Sequence, residues 1–306
     1  MDLKQIESFV SVAELGSFTR AAAALGIAQP LLSRQVRQLE LEFRQTFLLR
    51  NGRGVTLTEA GLVLLEHGRG ILHQVALARE ELGSIRGALA GRVSVGLPPS
   101  LSRMITVPLT QAFQRELPLA RLSLTEGFSA LMFEALRNGR LDLAVLYNPP
   151  TSPELETALL HQEALVLISA NTGAAEQPAR TLPAAVSLRD LAALPLIVPS
   201  RPNAFRQLIE SGMARLGCKP DIVLEIDGLS AILDLVREGL GYAVLPAYTL
   251  SNFARPHPFV THAIEQPTLI SQLNLVWSAR RPTTETHKQA LAIVRRTVMQ
   301  AVLRLD

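Results

Sequence analysis

The stretch Gln29-Pro30-Leu31-Leu32-Ser33-Arg34-Gln35-Val36-Arg37-Gln38-Leu39-Glu40 reads as a helix with two unlike faces. Pro30 suits a first helical turn, where its missing N–H removes no hydrogen bond. Leu32, Val36, Leu39 and Phe43 follow at spacings of four, three and four, so they form one apolar face expected to point inward. Ser33, Arg34 and Arg37 project elsewhere. Upstream, Leu3, Ile6, Phe9, Val10 and Ala13 recur at helical spacing, and Gly16 supplies a stop. Ser17 can cap a second short helix over 19–25, whose run Ala21-Ala22-Ala23-Ala24 lets another helix pack closely before the tight turn at Gly26-Ile27. Helix, short turn and helix with a basic outer face is the helix-turn-helix arrangement. Its second helix enters the major groove and offers its N-terminal residues to base edges. Residues 20–57 hold six arginines against Glu40 and Glu42, a local excess that suits a polyanion.

Phe47-Leu48-Leu49-Arg50, Asn51-Gly52-Arg53-Gly54 and Val55-Thr56-Leu57 read as a β-hairpin, or wing, since Asn-Gly is a strong hairpin signal. Arg53 at its tip can reach a phosphate or the minor groove. Thr58 then caps one long helical pattern with Glu59 in its first turn. Leu64, Gly68, Ile71, Val75, Ala78, Leu82, Ile85 and Leu89 follow a 4-3 alternation along it, a stripe that needs a partner and is read as a dimer seam. Packing of the stripe on its own domain is the alternative.

From 91 onward, short apolar runs alternate with helical patterns, as in α/β units. Strands are expected at 92–97, 121–126 and 141–146, with helices near 102–116 and 129–138. The break Asn148-Pro149-Pro150-Thr151-Ser152-Pro153 reads as a crossover to a second subdomain with strands at 164–170, 195–199, 221–226 and 241–245. A second crossover near Glu265-Gln266-Pro267 returns the chain, and a helix at 284–305 closes the first subdomain. An internal repeat supports this division. Glu126-Gly127-Phe128-Ser129 is echoed by Asp227-Gly228-Leu229-Ser230, and Leu136-Arg137-Asn138-Gly139 by Val236-Arg237-Glu238-Gly239. Two such lobes leave a cleft between them. Ligands bind beyond the carboxyl ends of strands in open sheets, and helix N-termini there offer N–H groups to anions. The lining candidates are therefore Ser100, Ser102, Ser129, Ser200, Arg201 and Asn203, each serine having simple helix capping as its alternative.

Gly16-Ser17-Phe18-Thr19-Arg20-Ala21-Ala22, Gln29 to Val36, Leu39-Glu40 and Arg53-Gly54-Val55-Thr56-Leu57-Thr58-Glu59-Ala60-Gly61 together resemble the DNA-binding domain of LysR-type transcriptional regulators. Within that family, Ile27-Ala28-Gln29-Pro30, Arg53-Gly54-Val55-Thr56 and Gly91-Arg92-Val93-Ser94-Val95-Gly96-Leu97 are similar to nitrogen-assimilation-control-type members. Two positions depart from the pattern: Ala28 stands where many members carry a capping Ser, and Arg44 where most carry Gly.

The resemblance implies an α/β protein in three parts: a winged helix-turn-helix domain over 1–57, a linker helix for dimerisation over 58–90, and an effector-binding domain over 91–306. That last domain is of periplasmic-binding-protein type, with lobe 1 over 91–162 and 267–306 and lobe 2 over 163–266. It implies DNA contacts from Gln29, Pro30, Ser33, Arg34, Arg37, Arg50 and Arg53, and effector contacts at Ser100 and Ser129. Its partners are then a pseudo-palindromic duplex, a small anionic or polar effector, further copies of the chain as dimer and tetramer, and RNA polymerase.

Composition agrees with that scale. The chain has 306 residues, 48 % apolar and 19 % charged, enough for two or three globular domains. Cys218 is the only cysteine, so no intrachain disulfide forms, and the six histidines lack metal-ligand spacing. No apolar run reaches membrane-span length and no secretory pattern opens the chain, so the expected location is the cytoplasm, with no membrane partner. No nucleophile elbow, phosphate loop or paired histidine emerges, so no enzyme activity, cofactor or metal is expected. The alternatives are a small-molecule-binding protein without a DNA role, an enzyme on the lobes, and a regulator that acts with an empty cleft.

Overall fold

A computed structural model describes residues 1–51, 54–84, 90–171, 182–250, 258–279 and 284–303. The chain divides into two compact units, Met1–Gly91 with Asn138–Arg140 and Arg92–Arg137 with Leu141–Asp306.

In the first unit, α1 (Leu3–Leu15) opens with a capping box: Asp2 accepts from the Gln5 N–H, and the Gln5 side chain accepts from the Asp2 N–H. It stops at Gly16, which is left-handed at φ 61°. Ser17 caps α2 (Phe18–Leu25), and α3 (Gln29–Phe43) follows after Gly26. Ala28 gives α3 no side-chain cap. Its C-terminal end shows that glycine is not required there. Arg44 itself adopts φ 51°, so the Gln45 N–H reaches the Glu40 carbonyl and the Arg44 N–H the Leu41 carbonyl. The wing strands β1 (Leu48–Asn51) and β2 (Gly54–Leu57) pair antiparallel, Leu48 opposite Leu57 and Asn51 opposite Gly54. The long helix α4 (Glu59–Ser84) completes the unit.

The core of this unit joins Ile6, Phe9 and Val12 of α1 with Ala21 of α2, Leu32, Val36 and Leu39 of α3, and Phe47 and Leu65. Phe43 does not join it. It is 45 % exposed, because the backbone turns left-handed one residue later, and its ring instead packs edge-on against Phe47. The N-terminal part of the α4 stripe also departs from expectation. Leu64 and Ile71 pack against the core of their own unit, and Gly68 lies against Val10 and Ile6 of α1. Helical periodicity marks an apolar face without saying what covers it. Val75 is half-buried and Ala78 exposed, the Leu82 side chain is not described, and Ile85 and Leu89 lie outside the described residues.

The second unit begins with β3 (Ala90–Leu97), α5 (Pro99–Glu116), β4 (Leu119–Glu126), α6 (Ser129–Arg137) and β5 (Leu143–Tyr147). It continues through β6 (Leu155–Ala170), β7 (Ala185–Ser187), β8 (Pro195–Val198), α7 (Ala204–Arg215), β9 (Asp221–Glu225), α8 (Leu229–Arg237) and β10 (Ala243–Pro246). It closes with β11 (Phe259–Glu265), β12 (Ile270–Ser278) and α9 (Glu285–Val302). The main sheet runs β4-β3-β5-β12-β6-β11-β7, with β10 also on β6. β8 pairs β9 in parallel and bridges to Tyr242 beside β10.

The first crossover is not at 148–153. Asn148 stays on the first lobe, where its N–H donates to the Gln272 carbonyl and its side chain accepts from the Gln272 N–H. The chain passes between lobes inside β6. Residues up to Ala164 pair with β12, and residues from Leu165 pair with β10 and β11. It returns through Gln266-Pro267 between β11 and β12.

The repeat is real in three dimensions, with a shifted register. α6 and α8 pair Ser129 with Leu229 and Arg137 with Arg237, and the glycine stops Gly139 and Gly239 share φ 75° and 74°, each pair 100 residues apart. The matched sequence motif sets Ser129 against Ser230, one residue off. Neither serine caps its own helix: Gly228 occupies the cap of α8, and Ser129 Oγ accepts from the Tyr147 N–H at 2.9 Å.

Candidate functional site

Two sites stand out, one in each unit. In the first, burial of Leu32, Val36 and Leu39 fixes how α3 is rotated. Gln29, Pro30, Arg34 and Arg37 are consequently exposed, with Ser33 half-buried beside them. Arg34 and Arg37 make no ion pair among the described residues. Unpaired guanidinium groups beside the N-terminal turns of an exposed helix can bind phosphates, or a guanine edge in bidentate fashion. A half-buried hydrogen bond from the Ser8 hydroxyl to the Gln35 side-chain oxygen ties α3 to α1. The Glu40 carboxylate accepts from the Phe47 N–H at 2.9 Å and the Leu48 N–H at 3.3 Å, which pins the start of the wing to the helix. On the other side, the Val55 N–H donates to the Gly16 carbonyl at 3.1 Å. Gly61 meets the wing so closely that a Cβ there would lie 2.1 Å from the Phe47 carbonyl oxygen. Arg50 lies on β1, though its side chain is not described, and Arg53 lies outside the described residues.

The second site is an open cleft in the second unit, whose empty space of about 440 Å³ includes solvent beyond its walls. Thirteen of the described residues line it, and none of these is charged: Pro98, Pro99, Ser100, Phe128, Ser129, Tyr147, Pro199, Asn203, Ala204, Phe205, Leu229, Ile232 and Leu245. The N-terminal turns of α5, α6, α7 and α8 all contribute. First-turn N–H groups have no acceptor within their own helix, and each helix start carries a partial positive charge. The cleft therefore combines partial positive charge with apolar walls, and no cation is among its described lining residues. Tyr147 and Phe205 meet within it, ring centroids 4.6 Å apart.

Of the six expected lining residues, Ser100, Ser129 and Asn203 line the cleft. Ser100 Oγ pairs with Tyr147 Oη at 3.0 Å, and Asn203 caps α7 by accepting from the Phe205 and Arg206 N–H groups. The other three do not. Ser102 turns back along α5 to Thr106, and the Ser200 N–H donates to Asp227. Arg201 is 69 % exposed and pairs with Glu210 at 2.8 Å, a carboxylate on the next turns of chain that captures it first. The guanidinium that does support the site is Arg206, which sequence reading passed over. It is buried and donates to Glu210, Glu225 and the Pro199 carbonyl. Its hydrogen bonds to the Glu225 and Glu210 carboxylates raise its already high pKa further. Burial alone would raise Glu210, but Arg201 and Arg206 outweigh it and hold that carboxyl below its usual range.

Among the described residues, no group of His, Cys, Asp and Glu could hold a metal ion, and no helix is long and apolar enough to cross a membrane. Residues 3–62 match the family of bacterial regulatory helix-turn-helix proteins of lysR type, and residues 86–298 match the LysR substrate binding domain. The chain is 32 % identical to the nitrogen assimilation regulatory protein nac of Escherichia coli (strain K12), over 96 % of this chain and 95 % of that one. It is 33 % identical to nac of Klebsiella aerogenes, over 92 % of this chain and 90 % of that protein. In fold it matches the crystal structure of CbnR, a LysR family transcriptional regulator, with a TM-score of 0.69 and 24 % identity over 97 % of this chain and 99 % of that one. A full-length OxyR variant from Pseudomonas aeruginosa matches with a TM-score of 0.68 and 23 % identity, over 98 % of this chain and 95 % of that one. Helix-turn-helix, wing, long helix and two-lobed α/β unit are thus matched in order along almost the whole length, and the chain belongs to the LysR family of DNA-binding transcriptional regulators.

Proposed function

We propose that α3 lies in the major groove of a pseudo-palindromic operator and reads it through Gln29, Pro30, Ser33, Arg34 and Arg37, with Arg50 and Arg53 of the wing toward the backbone. The observation that carries this reading is the rotation of α3, whose apolar face is locked into the core while its unpaired arginines face outward. The protein acts in the cytoplasm, without enzymatic activity, as a dimer that assembles further into a tetramer, and it engages RNA polymerase at the promoter. Exposed Leu62 and Val63 on α4 support self-association on a face other than the one buried against α1. The interlobe cleft takes a small anionic or polar effector whose differential affinity for two lobe arrangements alters the oligomer on DNA.

A gel-shift titration against DNA from upstream of its own gene tests the first part. A good bidentate base contact supplies about 1–3 kcal/mol of discrimination, so Arg34→Ala should weaken specific binding roughly tenfold or more. Unchanged affinity at fixed salt would remove Arg34 from the readers. A thermal-shift screen of organic, amino and aromatic acids tests the second part, with Ser100→Ala expected to abolish any hit while leaving operator binding intact. A ligand that keeps its affinity in Ser100→Ala binds elsewhere.

A further inference from the structure

The first turn of α3 carries an apolar side chain that the reading through Gln29, Pro30, Ser33, Arg34 and Arg37 leaves without a use. Leu31 is 44 % exposed, whereas its neighbour Leu32 is wholly buried. The backbone there is regular helix: the Leu31 N–H donates to the Ala28 carbonyl at 3.0 Å, and the Leu32 N–H to the same oxygen at 3.2 Å. The exposure therefore follows from the rotation of the helix. At about 100° per residue, the position before Leu32 falls outside the face that Leu32, Val36 and Leu39 bury. Ala28 and Pro30 are exposed beside it, and Ala28 caps the helix without a hydroxyl. Across Ala28-Gln29-Pro30-Leu31, only Gln29 has a hydrogen-bonding side chain. Residues three apart are neighbours on a helix surface, so Leu31 lies beside Arg34.

A single leucine on a protein surface needs no explanation in general. On the helix that enters a groove of DNA it needs one, because almost everything it meets is polar. Base edges in the major groove present hydrogen-bond donors and acceptors and one apolar group, the C5-methyl of thymine. A leucine set against any other edge takes water from a donor or acceptor and returns no hydrogen bond. Against a thymine methyl it removes apolar surface from water on both sides. We propose that Leu31 is a specificity-determining residue that packs on the methyl of one thymine in each half-site. Cytosine at that place lacks the methyl and brings an amino donor that leucine cannot accept, so it is rejected. This rests on the reading of α3 as the helix in the major groove. Leu31 is fixed to the same turn as Pro30 and neighbours Arg34, so the preference falls on one base pair rather than on A·T content at large.

The test uses the full-length protein and the strongest duplex that it selects from random sequences. Each thymidine is replaced in turn by deoxyuridine, which removes the methyl and keeps the base pairing. At one thymidine in each half-site, the replacement should weaken wild-type binding roughly fourfold, the worth of one methyl withdrawn from water. In Leu31→Ala that replacement should cost next to nothing, while every other replacement costs what it costs the wild type. Leu31→Met keeps an apolar chain of similar reach and should restore the penalty. Leu31→Ala should melt with the wild type, because Leu31 takes no part in the core of its unit. Equal uracil penalties at every thymidine in wild type and Leu31→Ala would assign the methyl to another side chain and overturn the inference. A Leu31→Ala protein that melts well below the wild type would overturn it too, by making the leucine a packing residue. If Arg34→Ala weakens binding at fixed salt while no replacement separates the wild type from Leu31→Ala, α3 still reads the groove and only the role of Leu31 falls. If Arg34→Ala binds as the wild type does and no replacement matters, both fall.

Discussion

Replacing Glu40 by alanine should free the wing from the recognition helix while leaving the helix itself in place. Glu40 is the one side chain of α3 whose carboxylate reaches past the end of the helix, to the N–H groups of Phe47 and Leu48. Hydrogen bonds to a charged acceptor are worth about 1.5–3 kcal/mol each when shielded, and this carboxylate is half-exposed, so the pair together should be worth about 2 kcal/mol. The Phe47 and Leu48 side chains are buried, so the loss should appear as local opening of the strand start rather than global unfolding. At 1.4 kcal/mol per tenfold, those two amides should exchange about thirtyfold faster in Glu40→Ala. Glu40→Gln keeps an acceptor without the charge and should fall between. Hydrogen exchange on the full-length protein, resolved to residues 47–57, measures this directly. Operator affinity should fall in the same order, because a loose wing must be reordered on binding. Wild-type exchange at 47 and 48 in the alanine variant would show that the carboxylate does not hold the wing, and the argument would fail.

Arg44→Gly should stabilise the first unit by about 0.5–1 kcal/mol, the left-handed penalty less the added freedom of the unfolded chain; a melting temperature that drops would refute this. Ser129→Ala strips the buried Tyr147 N–H of its acceptor and should destabilise the second unit by about 1–3 kcal/mol, read as an earlier urea midpoint; an unmoved midpoint would mean the bond carries no weight. Glu210 titrates below its ordinary value of 4.5 in the folded protein, so its contribution is complete above that pH and is lost as the pH falls beneath it. Glu210→Gln should therefore show a shallower loss of stability than the wild type as the pH falls below 4.5, and superimposable curves would exclude proton linkage at this site.

What could be read from residues alone was whatever depends on near neighbours. The spacing of Leu32, Val36 and Leu39 gave the orientation of α3, and Gly16 and Gly26 marked the helix stops that exist. Failures came where a distant or competing partner decides. Phe43 fits the apolar spacing, but the left-handed Arg44 beyond it carries the ring out of the core. The first part of the α4 stripe, Leu64, Gly68 and Ile71, fits a dimer seam by spacing and equally fits the core of its own unit, where it packs. Arg201 sits at a strand end as an anion site would require, yet Glu210 takes it, while Arg206 looks like a surface residue of a helix and is buried. Tyr147 and Phe205 drew no reading, because nothing local shows that strand β5 ends and helix α7 begins at one cleft. The motif match of Ser129 with Ser230 came one residue out of register, since similarity of letters does not count turns of helix.

The strand Leu155–Ala170 belongs to both lobes, and this has a mechanical consequence. At about 3.3 Å per residue its sixteen residues form a bar at most roughly 53 Å long, laddered to neighbours along both halves with one register shift at Leu160. Such a bar cannot swing like a gate on a slack loop. It can only twist about its own length, and every ladder bond on either half resists. Rotation of one lobe against the other should then behave as a torsion spring does, small in angle and stiff, returning when the load is removed. The same bar forbids dissection: severing the chain between Ala164 and Leu165 would give each fragment half a strand and an open edge, so neither lobe is a portable part, and the two must be made, moved and inherited together.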